Sequence, residues 1–208
     1  MNLTALQAQC KSRFRDTSNA IYADADWTNY LNDAYRDVNA AQPYWPYMET
    51  RTPLTVLATT AGIALPTGVF NVTAVHNDTD AYLLEPLQGR SEYRDVYPDP
   101  ATILGPPVHY RLRGGFLEVY PRPTVDTVVQ VDHFVAPAAL AAGGDVPAFP
   151  EQFHPILVSG AMAYAYEDDG NAAQAAIHWA RFNTRLQMMA LTLLAPRTSR
   201  FEGIADDW

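Results

Sequence analysis

Five histidines, His76, His109, His133, His154 and His178, are the side chains best suited to bind a metal or move a proton at neutral pH. Their spacing favours neither role. None stands in an HExxH pattern, and no two are four apart on a helix, the arrangement that aims two imidazoles at one zinc ion. Glu167, Asp168 and Asp169 are consecutive, as are Asp206 and Asp207. Paired acids can serve as general acid and base, but at a helix end or in a tail they read as solvated surface. Asp78 and Asp80 are too few to build a calcium loop. Ser159 lies in LVSGA rather than in a GxSxG elbow. Cys10, on a helical stretch, reads as a small buried hydrophobe rather than a nucleophile. Walker and GxGxxG patterns are missing, so nucleotide binding has no sequence support. The string Tyr44, Trp45, Tyr47 could stack on bases. Studded with prolines and followed by a strand, it reads instead as a seal between a helix and the β-segment after it. These readings predict no catalytic residue, no cofactor and no metal.

Composition narrows the class. The chain has 208 residues, 48% hydrophobic and 18% charged, with a formal net charge of −9. This is globular composition. So acidic a chain is a poor candidate for gripping phosphates, since nucleic-acid affinity rests on Lys and Arg. Of 14 basic residues only Lys11 is a lysine. Abundant Arg alongside Tyr and Trp suits protein–protein contact surfaces, although a GC-rich coding sequence accounts for the same bias. No apolar run is long enough for a membrane span, and the first residues lack the basic start and apolar stretch of a secretory signal. One cysteine excludes an intramolecular disulfide and fits a reducing compartment.

The elements that would position these residues follow from hydrophobic period. Residues 3–14 predict a helix capped by Thr4, with Leu3, Leu6, Cys10 and Phe14 on one face. A second helix is expected over 26–41, capped by Asp24 or Asp26. Its stripe is Trp27, Tyr30, Leu31, Ala34, Tyr35, Val38 and Ala41, and Pro43 and Pro46 stop it. From 50 to 136 the signal changes to short β-branched and aromatic runs: 52–58, 62–66, 69–76, 83–87, 108–113, 116–120 and 127–135. Gly114-Gly115 between two alternating runs predicts a tight hairpin. A short helix is expected over 89–98. Helical period returns at 151. Its first stripe is Phe153, Ile156, Leu157, Gly160, Ala161, Tyr164 and Ala165. A long helix over 171–195 then turns Ala172, Ala175, Ala176, Trp179, Phe182, Leu186, Met189, Ala190 and Leu193 inward, and Pro196 ends it.

The expected fold is α+β: a helical bundle built from both chain ends, with a small antiparallel β-domain inserted between them. The expected domains are 1–48 with 150–195 (helical), 49–149 (β), and a flexible tail, 196–208.

The order of features over roughly residues 25–195 resembles the head-to-tail adaptor (connector, or head-completion) proteins of tailed bacteriophages. The resemblance rests on an early LNDAYRDV helix followed by aromatics around YWPYM. It continues through the strand, turn and strand of TVLATTAGIALPTGVFNVTAVHN and the glycine hairpin HYRLRGGFLEVYPRP. HFVAPAAL, DVPAFPEQFHPILVSGAMAYAYEDD and a final long helix complete it. It implies a structural virion protein of the neck, made in the host cytoplasm and without catalytic residues. The implied partners are the portal protein, tail or neck proteins, and further copies of the chain. The implied assembly is a ring beneath the portal whose lumen conducts genomic DNA without sequence-specific binding. An acidic surface is compatible with a channel through which DNA must slide.

Alternative readings are another neck or tail-terminator subunit, a small hydrolase, or a ligand-binding β-module on a helical stalk. Within the adaptor reading, the tail is the expected portal-docking segment. Phe201, Ile204 and Trp208 would serve as apolar anchors there, with Arg197 and Arg200 pairing across the interface.

Overall fold

The computed structural model describes residues 1–60, 62–87, 96–97 and 102–194. The expected helix over 89–98 falls mainly outside these residues, and the expected docking residues Arg197, Arg200, Phe201, Ile204 and Trp208 fall wholly outside them. The fold is α+β. The chain divides into two compact units, Met1–Pro46 with Ala138–Trp208, and Tyr47–Pro137.

The described part of the first unit holds four α-helices: α1 (Leu3–Phe14), α2 (Asp24–Ala41), α3 (Pro155–Asp168) and α4 (Ala172–Leu193). The cap of α1 is Asn2, whose side chain accepts from the Ala5 N–H at 3.0 Å. Thr4, the expected cap, instead donates to the Gly143 carbonyl at 3.1 Å. At α2 the Asp26 carboxylate accepts from the Ala23 N–H at 2.8 Å, so the acid lies inside the first turn and reaches back. Asp16 closes the intervening loop by accepting from the N–H groups of Ala20, Ile21 and Tyr22 at 2.7, 3.1 and 2.9 Å. Those donors hold its carboxyl below the usual carboxylate range.

The centre of this unit is α3, which packs against α1, α2 and α4. It is buried nearly all round, from Ile156 to Ala163 without a break, where sequence reading gave it a single stripe. Small side chains make this possible. A Cβ at Gly160 would stand 2.6 Å from the Ala34 Cβ and 3.0 Å from the Phe182 ring, so side chains of both neighbouring helices press on the bare α3 backbone there. Trp27, Leu31, Ala34 and Val38 of α2 are fully buried. Residues 138–149 run along this helical unit. Leu140 and Asn32 exchange two hydrogen bonds at 2.8 and 2.9 Å, and the Ala148 N–H donates to the Tyr35 hydroxyl at 3.0 Å.

The described part of the second unit contains two four-stranded sheets. One has the order β1 (Glu49–Val56), β8 (Thr127–Val135), β3 (Val69–Asn77), β4 (Tyr82–Leu83) and is antiparallel throughout. The other runs β2 (Gly62–Ala64), β7 (Phe116–Tyr120), β6 (His109–Arg113), β5 (Glu85–Pro86), and its β5–β6 pairing is parallel. The single run expected over 83–87 is split because Leu84 turns into the core, where it joins Val56, Val75, Tyr110, Leu117, Val119, Val129 and Val131 from both sheets. Arg113 pairs with Phe116 across the β6–β7 turn, and Gly114 and Gly115 both have positive φ, +55° and +82°. Two residues in that conformation twist a hairpin in the sense that the strands require.

Candidate interaction surfaces

The chemically capable residues are occupied by the fold. The Cys10 thiol is buried, which pushes its pKa up to about 12, so it is not a thiolate at neutral pH. His133 bonds the Val131 carbonyl at 2.9 Å, and His154 the Phe149 carbonyl at 3.0 Å. His178 stacks on Tyr166, with ring centroids 5.4 Å apart. Burial depresses the pKa of both His154 and His178. His76 faces Asp132 at 3.3 Å, the carboxylate that also takes a two-pronged contact from Arg51. Ser159 accepts from Arg185 at 2.6 Å. Asp80 accepts from Asn77 at 3.0 Å, and Asp78 from Gln130 at 3.3 Å. Among the described residues, no group of three His, Cys, Asp or Glu side chains is placed to hold a metal ion, and no helix is long and apolar enough to cross a membrane. Trp45 is fully buried, and its indole donates to the Val38 carbonyl at 2.8 Å, which folds this one ring of the aromatic string back onto α2, while Tyr44 is exposed.

What the helical unit leaves open is the outer side of α4. Its buried contacts are Ala175, His178, Phe182 and Met189. Ala172 and Ala176, expected inside, are exposed. His178 takes a core position that an apolar pattern does not mark. Ile177, Met188, Leu191 and Leu194 point outward, Leu191 at 70% exposure. Ile177, Ala180, Thr184, Met188 and Leu191 recur at three- and four-residue steps, so they form one continuous stripe on the helix.

Beside this stripe lies an open groove of about 400 Å³ lined by Ile177, Ala180, Arg181, Thr184 and Arg185. Arg185 reaches inward to the Pro155 carbonyl at 2.8 Å. Burial first, then the neighbouring Arg13 and Arg181 charges, pull its pKa below the ordinary guanidinium value. No carboxylate among the described residues lies within ion-pair distance of Arg13, Arg181 or Arg185.

Acids gather elsewhere on the same unit. Asp37 accepts from the Tyr164 hydroxyl at 2.7 Å, Glu167 from the Trp179 indole at 2.6 Å, and Asp168 from the Tyr30 hydroxyl at 2.5 Å. Asp33 stands one turn before Asp37 on α2 and pairs with Arg36 at 2.8 Å. Burial and the adjoining carboxylates raise the pKa of Tyr30 and Tyr164. The triplet Glu167, Asp168, Asp169 is exposed.

The signal for the α4 surface was present in the sequence as a second apolar stripe at helical spacing, flanked by Arg181 and Arg185 at i, i+4. Periodicity alone does not say which of two stripes is covered.

A search of the curated proteins finds no match to this chain. A family model described as "SU10 adaptor protein" matches residues 1–202. The match takes in α1, which the resemblance in the sequence left out, together with both units described above. The chain belongs to the SU10 adaptor protein family, and is a structural adaptor of phage, as the order of its sequence features implied.

Proposed function

We propose that this protein is the head-to-tail adaptor of a tailed phage. It forms a homo-oligomeric ring beneath the portal, joins capsid to tail, and leaves a lumen through which genomic DNA passes. It is made in the host cytoplasm and resides in the virion neck. The observation that carries the reading is the family match over residues 1–202. The exposed apolar face of α4, the carbonyl-bonded His133 and His154, and the burial of Cys10 support a protein that works by contact rather than by catalysis. The net charge of −9 suits a conduit that must not hold DNA phosphates.

Within this role, residues 196–208 dock onto the portal. Phe201, Ile204 and Trp208 are spaced apolar anchors, and Arg197 and Arg200 supply charge for an interface. The test is deletion of residues 197–208. The shortened chain should keep the melting temperature of the full chain yet fail to join heads to tails, leaving particles that leak DNA or lack tails. Full infectivity with the shortened chain would move portal docking to the helical unit or to the β-strand loops.

A further inference from the structure

Two surfaces of the helical unit carry opposite charge and lie on opposite flanks of its central helix. Tyr164 and Tyr166 are two positions apart on α3, so their side chains leave it about 200° apart. Tyr164 lies among the acids. Its hydroxyl donates to Asp37, and Trp179, which packs edge-on against it, donates to Glu167. Tyr166 lies among the arginines. Phe14, next to Arg13, approaches it at 4.9 Å, and His178, which feels the Arg181, Arg13 and Arg185 charges, stacks on it with ring centroids 5.4 Å apart.

Arg181 and Arg185 line one groove, Arg13 stands near enough to act on Arg185, and none of the three has a carboxylate partner among the described residues, in a chain whose net charge is −9. Uncompensated like charges repel, and an opposing acidic surface would relieve that repulsion. A phosphate backbone would also supply negative charge. The groove wall nevertheless continues into the apolar stripe of Ile177, Met188 and Leu191. Apolar and Met side chains beside Arg are the makeup of a protein interface, and a phosphate chain gives such a stripe nothing to bury against.

We propose that the occupant is a second copy of this chain: the α4 groove with Arg13 and Arg181 receives the α2–α3 acidic flank, Asp33, Asp37 and Glu167, of its neighbour. This inference rests on the ring reading above and specifies the faces that make the ring. Because donor and acceptor surfaces are different and lie on opposite flanks, the contact is head-to-tail. Such contacts close into rings when the rotation per copy allows it, whereas one patch meeting itself would stop at a dimer.

A charge-swap experiment on the full chain tests it, read by sedimentation and negative-stain microscopy, with and without portal rings. Arg181→Glu and Asp33→Arg both alter surface positions outside the helix-crossing contacts, and unchanged circular dichroism and melting temperature establish that each variant folds. Each variant alone should associate at least about tenfold more weakly than the parent, because like charges then face each other. An equimolar mixture of the two should regain rings, since every contact in an alternating ring is again between opposite charges. Parent assembly with unaltered assembly of both variants would overturn the pairing, as would loss of assembly in both variants without rescue in the mixture. If Arg181→Glu spares assembly and weakens binding of a short duplex DNA, the groove is a phosphate site and the inference fails. A parent that never assembles, even on portal rings, would instead sink the ring reading itself.

Discussion

Trp27, like Trp45, is held wholly away from water in the helical unit. Edge-on ring contacts to Phe14, Tyr22 and Tyr30 surround it at 5.6, 5.5 and 5.9 Å. Trp27→Ala removes that ring from a region where α1 and α2 leave little room to collapse, and should lower stability by about 3–5 kcal/mol. Trp179 is only half-buried, although it bonds Glu167 and packs against Tyr164 and Phe182. Its replacement by Ala should cost less, and urea titration of the two variants beside the parent checks both the size and the order. A Trp27→Ala chain that unfolds at the parental midpoint would contradict this account of the core. At this scale the sequence was readable where a large apolar residue sits on a marked stripe. It misled where a polar residue takes a core position. His178 is buried against Tyr166, and a search for apolar period passes over it in favour of Ala172 and Ala176.

Elements were legible wherever local chemistry decides them. Gly114 and Gly115 both adopt positive φ in the β6–β7 hairpin, as two adjacent glycines between alternating strands imply. A Cβ at either would meet nothing within 4 Å, so substitution there is resisted by the backbone rather than by neighbours. Gly115→Val should therefore cost roughly 1–2 kcal/mol. Gly160→Ala fails for the opposite reason: its added methyl meets Ala34 and Phe182 where three helices cross, and overpacking of that kind costs about 1–3 kcal/mol. Differential scanning calorimetry of the two variants should show both transitions lowered. Parental stability in Gly160→Ala would mean that the helices stand further apart than described. Strand partners were not legible, because a strand's own pattern does not name its neighbour. β1 pairs with β8 from the far end of the unit, and β5 runs parallel to β6. Neither follows from alternation, so the expected small antiparallel β-domain is present as two sheets, one with a parallel β5–β6 pairing. For α3 the expected stripe, Ile156, Leu157, Gly160, Ala161 and Ala165, is buried, but the reading was incomplete: Ser159, Gly160, Ala161 and Ala163 let helices approach on all sides, and a helix buried all round has more than one stripe.

At the scale of the molecule, the family match and the uncovered surfaces lead to the same role. Cys10, His133 and His178 are buried in the fold, whereas α4 keeps Ile177, Met188 and Leu191 in solvent, and exposed apolar residues grouped on one face are a mark of contact surfaces. The sequence carried this information as two apolar stripes on one helix, and only the packed unit showed which of them was left over. The central claim is that these copies assemble on a portal. It is tested most directly by mixing the purified full chain with portal rings of the same phage and imaging the product by electron microscopy. The account predicts a second ring, coaxial with the portal and with an open lumen. Portal rings that stay bare at saturating concentrations of folded chain would contradict it.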